Sequence, residues 1–154
     1  VKDTGRSEML ELNRMAFDDF LPRNSESRCI AITIKMIKKN APHIKWILSY
    51  ADATQCGDGT IYRASGFLLT QIKKNATIIK LESGEIVAKM TYTKGKNILK
   101  QGGRAGIPKG ATPLSGYMLR YIYLIDQKAK LNVPILPFSE IEKQNAAMYK
   151  GKMR

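Results

Sequence analysis

The chain has little histidine and little cysteine: His43 stands alone, and Cys29 and Cys56 fit no Cys-x-x-Cys spacing. One imidazole cannot supply a multi-histidine metal site, so we expect no metal held by this chain alone. Two cysteines that do not form the pattern of a disulfide framework indicate a reducing compartment, and we expect the cytoplasm. GxGxxG and Walker lysine motifs are missing, which argues against a dinucleotide fingerprint and a nucleoside triphosphatase.

Long apolar runs are also missing from the sequence. None approaches the ~18 residues that a membrane span needs, so we expect no membrane partner. Val1 stands where an initiator methionine would be, and the polar residues after it do not form a signal peptide. We therefore expect the natural protein to continue before Val1.

Acidic residues are scarce, with 13 Asp and Glu against 26 Lys and Arg, so the formal net charge is +13. Such a field favours a polyanionic partner, first of all DNA or another nucleic acid. An acidic membrane surface comes second, and plain solubility is the alternative. Nine basic residues and two acidic ones lie between Gln71 and Gly110. The candidate nucleic-acid-binding residues are Lys73, Lys74, Lys94, Lys96, Lys100, Arg104, Arg120 and Tyr121, the last pair mixing a cation with a ring for base stacking.

Hydrophobic periodicity predicts an α/β fold in which a helix opening at Ser25 connects two parallel strands, Met9–Phe17 and Ile44–Tyr50. Asn40 and Pro42 end that helix. A Gly-rich turn and a short helix over Thr60–Ser65 come next. Further strands are predicted at Phe67–Ile72, Thr77–Leu81, Glu85–Tyr92 and Gly116–Ile125, with a basic loop at Lys94–Gly110 and a short helix within Ser139–Met148.

The opening of the first helix is a candidate cofactor site. Free backbone N–H groups and a partial positive charge at a helix start suit a phosphate group. The alternative is ordinary helix capping, because Asn and Ser cap most helices. The residues that crowd this position are Arg23, Asn24, Ser25, Ser27 and Arg28.

Asp52 follows an apolar strand and Tyr62 lies ten residues further on. A carboxylate at the end of a strand is placed to orient or deprotonate an amine, and a tyrosine to donate a proton to a leaving thiolate. The alternative for Asp52 is an ordinary turn residue, and the alternative for Tyr62 is a packing residue. Arg14 shares a face with Leu10 and Leu12, where a buried cation needs a partner such as Asp52, unless it reaches water.

The run Tyr62–Phe67, YRASGF, is similar to the closing motif of the GCN5-related N-acetyltransferases, the GNAT superfamily. More specifically, Leu12–Ile30, Pro42–Phe67 and Arg120–Asp126 resemble the Mom group of phage-encoded DNA-modification proteins. The SYAD strand end and the GTIYRA turn are the most specific parts of this resemblance.

The resemblance implies a GNAT-like mixed sheet that splays between its fourth strand, here Met9–Phe17, and its fifth, here Ile44–Tyr50. The early strands would precede Val1. An acyl-CoA or acetyl-CoA-like donor would lie in the gap, with its pyrophosphate at the helix opening at Ser25. The implied activity is carbamoylmethylation of the exocyclic amine of adenine in DNA, which protects phage DNA from restriction in the host cytoplasm. The matching polar active-site positions are Arg14, Ser27, Asp52 and Tyr62.

Two departures from the family pattern stand out. The turn after the SYAD strand reads Gln55–Asp58 where the group usually has a histidine, and the helix opening lacks the Gly-x-Gly of ordinary acetyltransferases. We expect an acyltransferase domain over residues 1–126 and a peripheral extension over 127–154. The alternative functions are an N-acetyltransferase that acts on a protein or small amine, and a non-catalytic nucleic-acid-binding module.

Overall fold

The computed structural model describes residues 1–13, 15–18, 20–90, 107, 109–149 and 152–153 of the chain. In chain order the strands are β1 (Met9–Leu12), β2 (Trp46–Asp52), β3 (Leu68–Asn75), β4 (Ile78–Lys80), β5 (Ile86–Ala88), β6 (Thr112–Pro113), β7 (Gly116–Leu124), β8 (Met148–Tyr149) and β9 (Lys152–Met153). The helices are α1 (Ser25–Asn40), α2 (Thr60–Ala64) and α3 (Ser139–Lys143).

The centre of the fold is a mixed four-stranded sheet in the order β1-β2-β7-β3. β1 and β2 run parallel, with Met9 opposite Trp46 and Leu12 opposite Ser49, and α1 connects them. The predicted α/β class and its parallel strand–helix–strand unit are thereby confirmed. The helix forms where Ile30 and Ile34, one turn apart, are both buried against the sheet.

β1 is shorter than predicted, because it ends at Leu12 rather than at Phe17. The Ser49 hydroxyl donates a hydrogen bond of 2.8 Å to the Leu12 carbonyl, at the last paired position. β2 continues to Asp52, past the end of β1. Ala16 and Phe17 line a cavity against α1 instead, so their apolar character serves helix contacts rather than strand pairing.

β7 lies in the middle of the sheet and pairs antiparallel with both β2 and β3. The predicted strand Gly116–Ile125 is confirmed to within one residue. β3 contains a β-bulge at Thr70, because Leu69 lies opposite Tyr121 while Gln71 lies opposite Arg120. The extra residue shifts the register of everything that follows in β3.

Strand pairing divides the sheet residues between two faces, since directly opposed residues point the same way. One side, here named the helix face, packs against α1 and α2. Its members are Leu10, Leu12, Ile47, Ser49, Ala51, Leu69, Ile72, Leu119, Tyr121 and Tyr123. The other side, here named the open face, carries Trp46, Leu48, Tyr50, Asp52, Leu68, Gln71, Lys73, Met118, Arg120 and Ile122.

The remaining strands form a three-stranded sheet, β5-β4-β6, and a two-stranded one, β8-β9. The segment after Asp126 is not peripheral as expected: Ile141, Ala146 and Met148 are buried in the same core as Leu69 and Leu119. That segment therefore completes the packing of the helix face. In the described part of the chain, no helix combines the length and the apolar character that crossing a bilayer requires.

Candidate functional site

Asp52 is the last residue of β2 and points to the open face, opposite Met118. Its side chain is half-buried, and Oδ1 accepts a 3.0 Å hydrogen bond from the Thr54 amide. Its carbonyl accepts from the Cys56 amide at 2.8 Å. One carboxylate oxygen therefore makes the turn contact that was the alternative role for Asp52. Oδ2 has no hydrogen bond to any described residue, which leaves it available to a ligand.

The turn after β2 is held by Asp58, a residue that the sequence argument did not single out. The Asp58 side chain is buried, and its Oδ1 lies 3.0 Å from Arg63 Nη2 and 3.0 Å from the Thr60 hydroxyl. The guanidinium of Arg63 also lies 5.9 Å from the ring centre of Phe138. An Asp at a helix start was the available signal, because such residues accept hydrogen bonds from the first turn. This network fixes α2 and the residues on it.

Tyr121 lies in the core and cannot serve as the base-stacking residue that the sequence suggested. Its side chain has 0% exposure, and its hydroxyl donates a 2.6 Å hydrogen bond to the Asp58 carbonyl. Burial raises the pKa of this phenol well above its usual range. The middle position of β7 explains the outcome, since Tyr121 faces α2 between β2 and β3.

Tyr62 is half-buried on α2, above the helix face. Its ring centre lies 5.4 Å from that of Phe67 and 5.4 Å from that of Tyr121. The ring therefore has the packing role that was the alternative for Tyr62. The hydroxyl makes no hydrogen bond with any described residue. A ring fixed by aromatic neighbours with an unengaged hydroxyl is suited to donating a proton to a ligand.

The sheet separates Asp52 from Tyr62. The carboxylate belongs to the open face, whereas the tyrosine packs on the helix face, so the structure does not gather them on one side as expected. The alternation along β2 is responsible, because it points Ala51 towards the helices and Asp52 away from them.

The N-terminus of α1 brings the predicted cofactor residues together. Asn24, the N-cap, has φ of 69° and makes no side-chain capping bond. The Ser25 hydroxyl donates to the Pro22 carbonyl at 2.6 Å, and that of Ser27 donates to the Asn24 carbonyl at 3.0 Å. The backbone N–H groups of Glu26 and Ser27 have no partner among the described residues. The predicted cations here, Arg23 and Arg28, are both exposed.

An apolar cavity of about 340 Å³ lies between α1, β1 and the chain that follows β1. Cys29, Ile30 and Thr33, on the first turns of α1, line one side of it. The cavity therefore begins close to the helix N-terminus. Phe67 also lines it and packs against Tyr62, which links the cavity to the phenol. The remaining lining residues are Leu10, Glu11, Leu12, Met15, Ala16, Phe17, Ile34, Ile37 and Ile47.

Apart from Tyr121, the predicted nucleic-acid-binding residues divide into three groups. Lys73 and Lys74 are exposed neighbours on β3 and point to opposite faces, with Lys73 on the open face. Arg120 is half-buried on the open face, where its Nε donates a 3.0 Å hydrogen bond to the Thr70 hydroxyl. The remaining candidates lie outside the described residues: they are Lys94, Lys96, Lys100 and Arg104. The catalytic candidate Arg14 also lies outside them.

Metal ligands are not gathered anywhere in the part of the chain that the structure describes: it contains no group of three His, Cys, Asp or Glu side chains able to hold an ion. Both cysteines are exposed and free.

Comparison with known proteins identifies the family of the chain. The model of the Mom protein family matches residues 1–140. The chain is also 33% identical over 136 residues to the protein named Methylcarbamoylase mom of Escherichia phage Mu. That match covers 84% of this chain and 54% of the phage Mu protein, so the chain spans about half the length of that relative. The match to the family model extends over most of the sequence, and the chain therefore belongs to the Mom protein family.

Proposed function

We propose that this protein is a phage DNA-modification transferase that attaches a methylcarbamoyl group to the exocyclic amine of adenine in DNA. This acyl group replaces the carbamoylmethyl group that the family resemblance implied, because an amine that displaces a thiolate from an acyl-CoA-like donor becomes acylated and not alkylated. The observation that carries the proposal is the family match over residues 1–140, which includes the ends of β2 and α2 where Asp52 and Tyr62 lie. The phage Mu relative is named a methylcarbamoylase, and a net charge of +13 suits a DNA substrate.

The donor that the family resemblance implies is an acyl-CoA-like molecule, and the residues around α1 fit one. The free N–H groups of Glu26 and Ser27, with Arg23 and Arg28 beside them, suit a pyrophosphate. The apolar cavity next to them suits the aliphatic arm of such a donor. When bound, the donor supplies the group that is transferred. Ser27 would then contact the donor's phosphates or lie close to them.

Asp52 is proposed to act on the acceptor amine from the open face. Adenine inside a duplex is out of reach, so the target base would leave the stack before it meets the carboxylate. The Thr54 amide holds Oδ1, which fixes the orientation of the side chain. Oδ2 would accept a hydrogen bond from the amine and take its proton as the new N–C bond forms.

Tyr62 is proposed to act from the donor side, on the helix face. Its ring packs on Phe67, a residue that lines the cavity, so a single aromatic ring separates Tyr62 from the space assigned to the donor. The phenol would donate a proton to the departing thiolate, or hold the donor's carbonyl. Arg14 is proposed to hold Asp52 or that carbonyl. The two sides would meet where β2 extends beyond β1.

The test is mass spectrometry of nucleosides from the DNA of cells that express the protein. Asp52→Asn and Tyr62→Phe should each lower the yield of modified adenine by at least about 100-fold, the usual contribution of a general acid or base. A melting temperature equal to that of the parent protein would show that each variant folds. Yields equal to those of the parent protein would reject the assignment.

Two matched controls are available in the chain. Asp126→Asn alters another carboxylate that accepts a hydrogen bond from the amide two residues on, at 2.9 Å to Lys128. Tyr123→Phe alters another phenol that packs on Phe67, with ring centres 5.3 Å apart. Both should keep the parent yield. Turnover of acetyl-CoA without DNA would instead favour an N-acetyltransferase, and salt-sensitive DNA binding without any modified adenine would favour the non-catalytic module.

A further inference from the structure

Tyr50 exposes an aromatic ring on the open face of the central sheet. The residue lies in β2, one position past the last residue that pairs with β1, and its neighbours Ser49 and Ala51 are buried. Tyr50 itself keeps 42% of its surface exposed. A large ring left open on a sheet face, beside a polar group such as Asp52, is available to stack on a ligand.

The residues beside Tyr50 on the open face form two rows across the strands. Arg120 of β7 lies directly opposite Tyr50, and Gln71 of β3 lies opposite Arg120. The next row holds Asp52, Met118 and Lys73. Neighbouring strands are about 4.8 Å apart, so the backbone positions of Tyr50, Arg120 and Gln71 together span about 10 Å on one face.

The polar groups of the first row keep hydrogen-bonding atoms that have no partner among the described residues. Arg120 donates through Nε to the Thr70 hydroxyl, which orients the guanidinium. Its terminal Nη groups have no hydrogen bond to the described residues. The side chain of Gln71 is exposed and likewise has no partner there. The row thus offers a stacking plane, a fixed cation and an amide that both donates and accepts.

We propose that Tyr50, Gln71 and Arg120 form the docking place of the extrahelical base, a proposal that rests on the function proposed above. The phenol ring would stack on the base, as aromatic side chains do with unpaired nucleotides. The amide of Gln71 matches the donor and acceptor edge of adenine. Arg120 and Lys73 would contact the adjoining phosphates, and Asp52, two residues along β2, would meet the exocyclic amine.

The experiment measures binding of the protein to a single-stranded oligodeoxyadenosine and to an abasic strand of the same length, by fluorescence anisotropy. Stacking on a side chain is worth about 1–3 kcal/mol per base, or about a 5- to 150-fold change in affinity. Tyr50→Ala should lose about that factor on the oligodeoxyadenosine and keep its affinity for the abasic strand. Tyr50→Phe should keep both, because it retains the ring.

Phe20→Ala is the matched control, since Phe20 is an aromatic residue with 81% exposure outside the sheet. It should bind both strands as the parent protein does. Equal losses on the two strands, or no loss from Tyr50→Ala, would overturn the docking place. Binding is measured without catalysis, so the two proposals fail separately. If the parent protein yields no modified adenine while Tyr50→Ala still loses base-dependent affinity, the function falls and the docking place stands.

Discussion

Replacing Gly59 with alanine tests how α2, and with it Tyr62, is held in place. Gly59 precedes α2 with φ of 84° and ψ of 30°, in the left-handed region. A residue with a Cβ costs roughly 1–2 kcal/mol there. The Cβ would also overlap Cε2 of Tyr121 and lie 2.7 Å from its Cζ and 2.9 Å from its hydroxyl oxygen.

The clash cannot be relieved at the surface, because Tyr121 is fully buried. Forcing extra atoms into a packed core costs about 1–3 kcal/mol. If the ring moves, its hydrogen bond to the Asp58 carbonyl breaks, and an unsatisfied buried carbonyl costs about 1–3 kcal/mol more. We therefore expect Gly59→Ala to lower the free energy of unfolding by about 3–8 kcal/mol.

Gly84→Ala provides a matched control for the backbone alone. Gly84 has φ of 87°, and a Cβ there would meet nothing within 4 Å. Its cost should be only about 1–2 kcal/mol. Urea unfolding followed by circular dichroism measures both variants. Equal losses of unfolding free energy from the two substitutions would refute the claim that the Tyr121 ring closes on Gly59.

Two further predictions concern the same core. Burial raises the pKa of Tyr121 above the ordinary 10.0, so above that pH the unfolded chain loses a proton that the folded chain keeps. The free energy of unfolding should then fall by about 1.4 kcal/mol per pH unit above pH 10 in urea titrations. Tyr121→Phe should lack this slope, and identical slopes in both proteins would contradict the assignment. Ser49→Ala removes the 2.8 Å hydrogen bond to Leu12. It should lower the unfolding free energy by about 1 kcal/mol and speed amide exchange in β1, whereas the exposed-turn variant Ser83→Ala should change neither.

Local patterns were enough to predict the elements around the site. The apolar spacing of Ile30 and Ile34 predicts α1, and Asn40 marks its end, as the structure shows. Glycines predict the turn before α2. The predicted extent of β1 was wrong: the apolar alternation continues to Phe17, but the strand ends at Leu12, and Ala16 and Phe17 line the cavity beside α1.

The relation between the two faces of the sheet was not accessible to sequence reasoning. Alternation along β2 separates Asp52 from Ala51, but nothing local tells which of them the helices cover. The burial of Tyr121 likewise depends on β7 pairing on both sides, a long-range fact. Asp58 carried a capping signal, but its ion pair with Arg63, five residues further along the chain, does not follow from that signal.

The bulge at Thr70 decides which lysine of β3 lies on the open face. Beyond it, Ile72 lies opposite Leu119 and Lys73 opposite Met118. If the same sequence paired without the bulge, Ile72 would lie opposite Met118 on the open face and Lys73 opposite Tyr117 on the helix face. Deletion of Thr70 would therefore leave Ile72 and Lys73 on their present faces, whereas deletion of a residue after the bulge would exchange the faces of the strand residues beyond it.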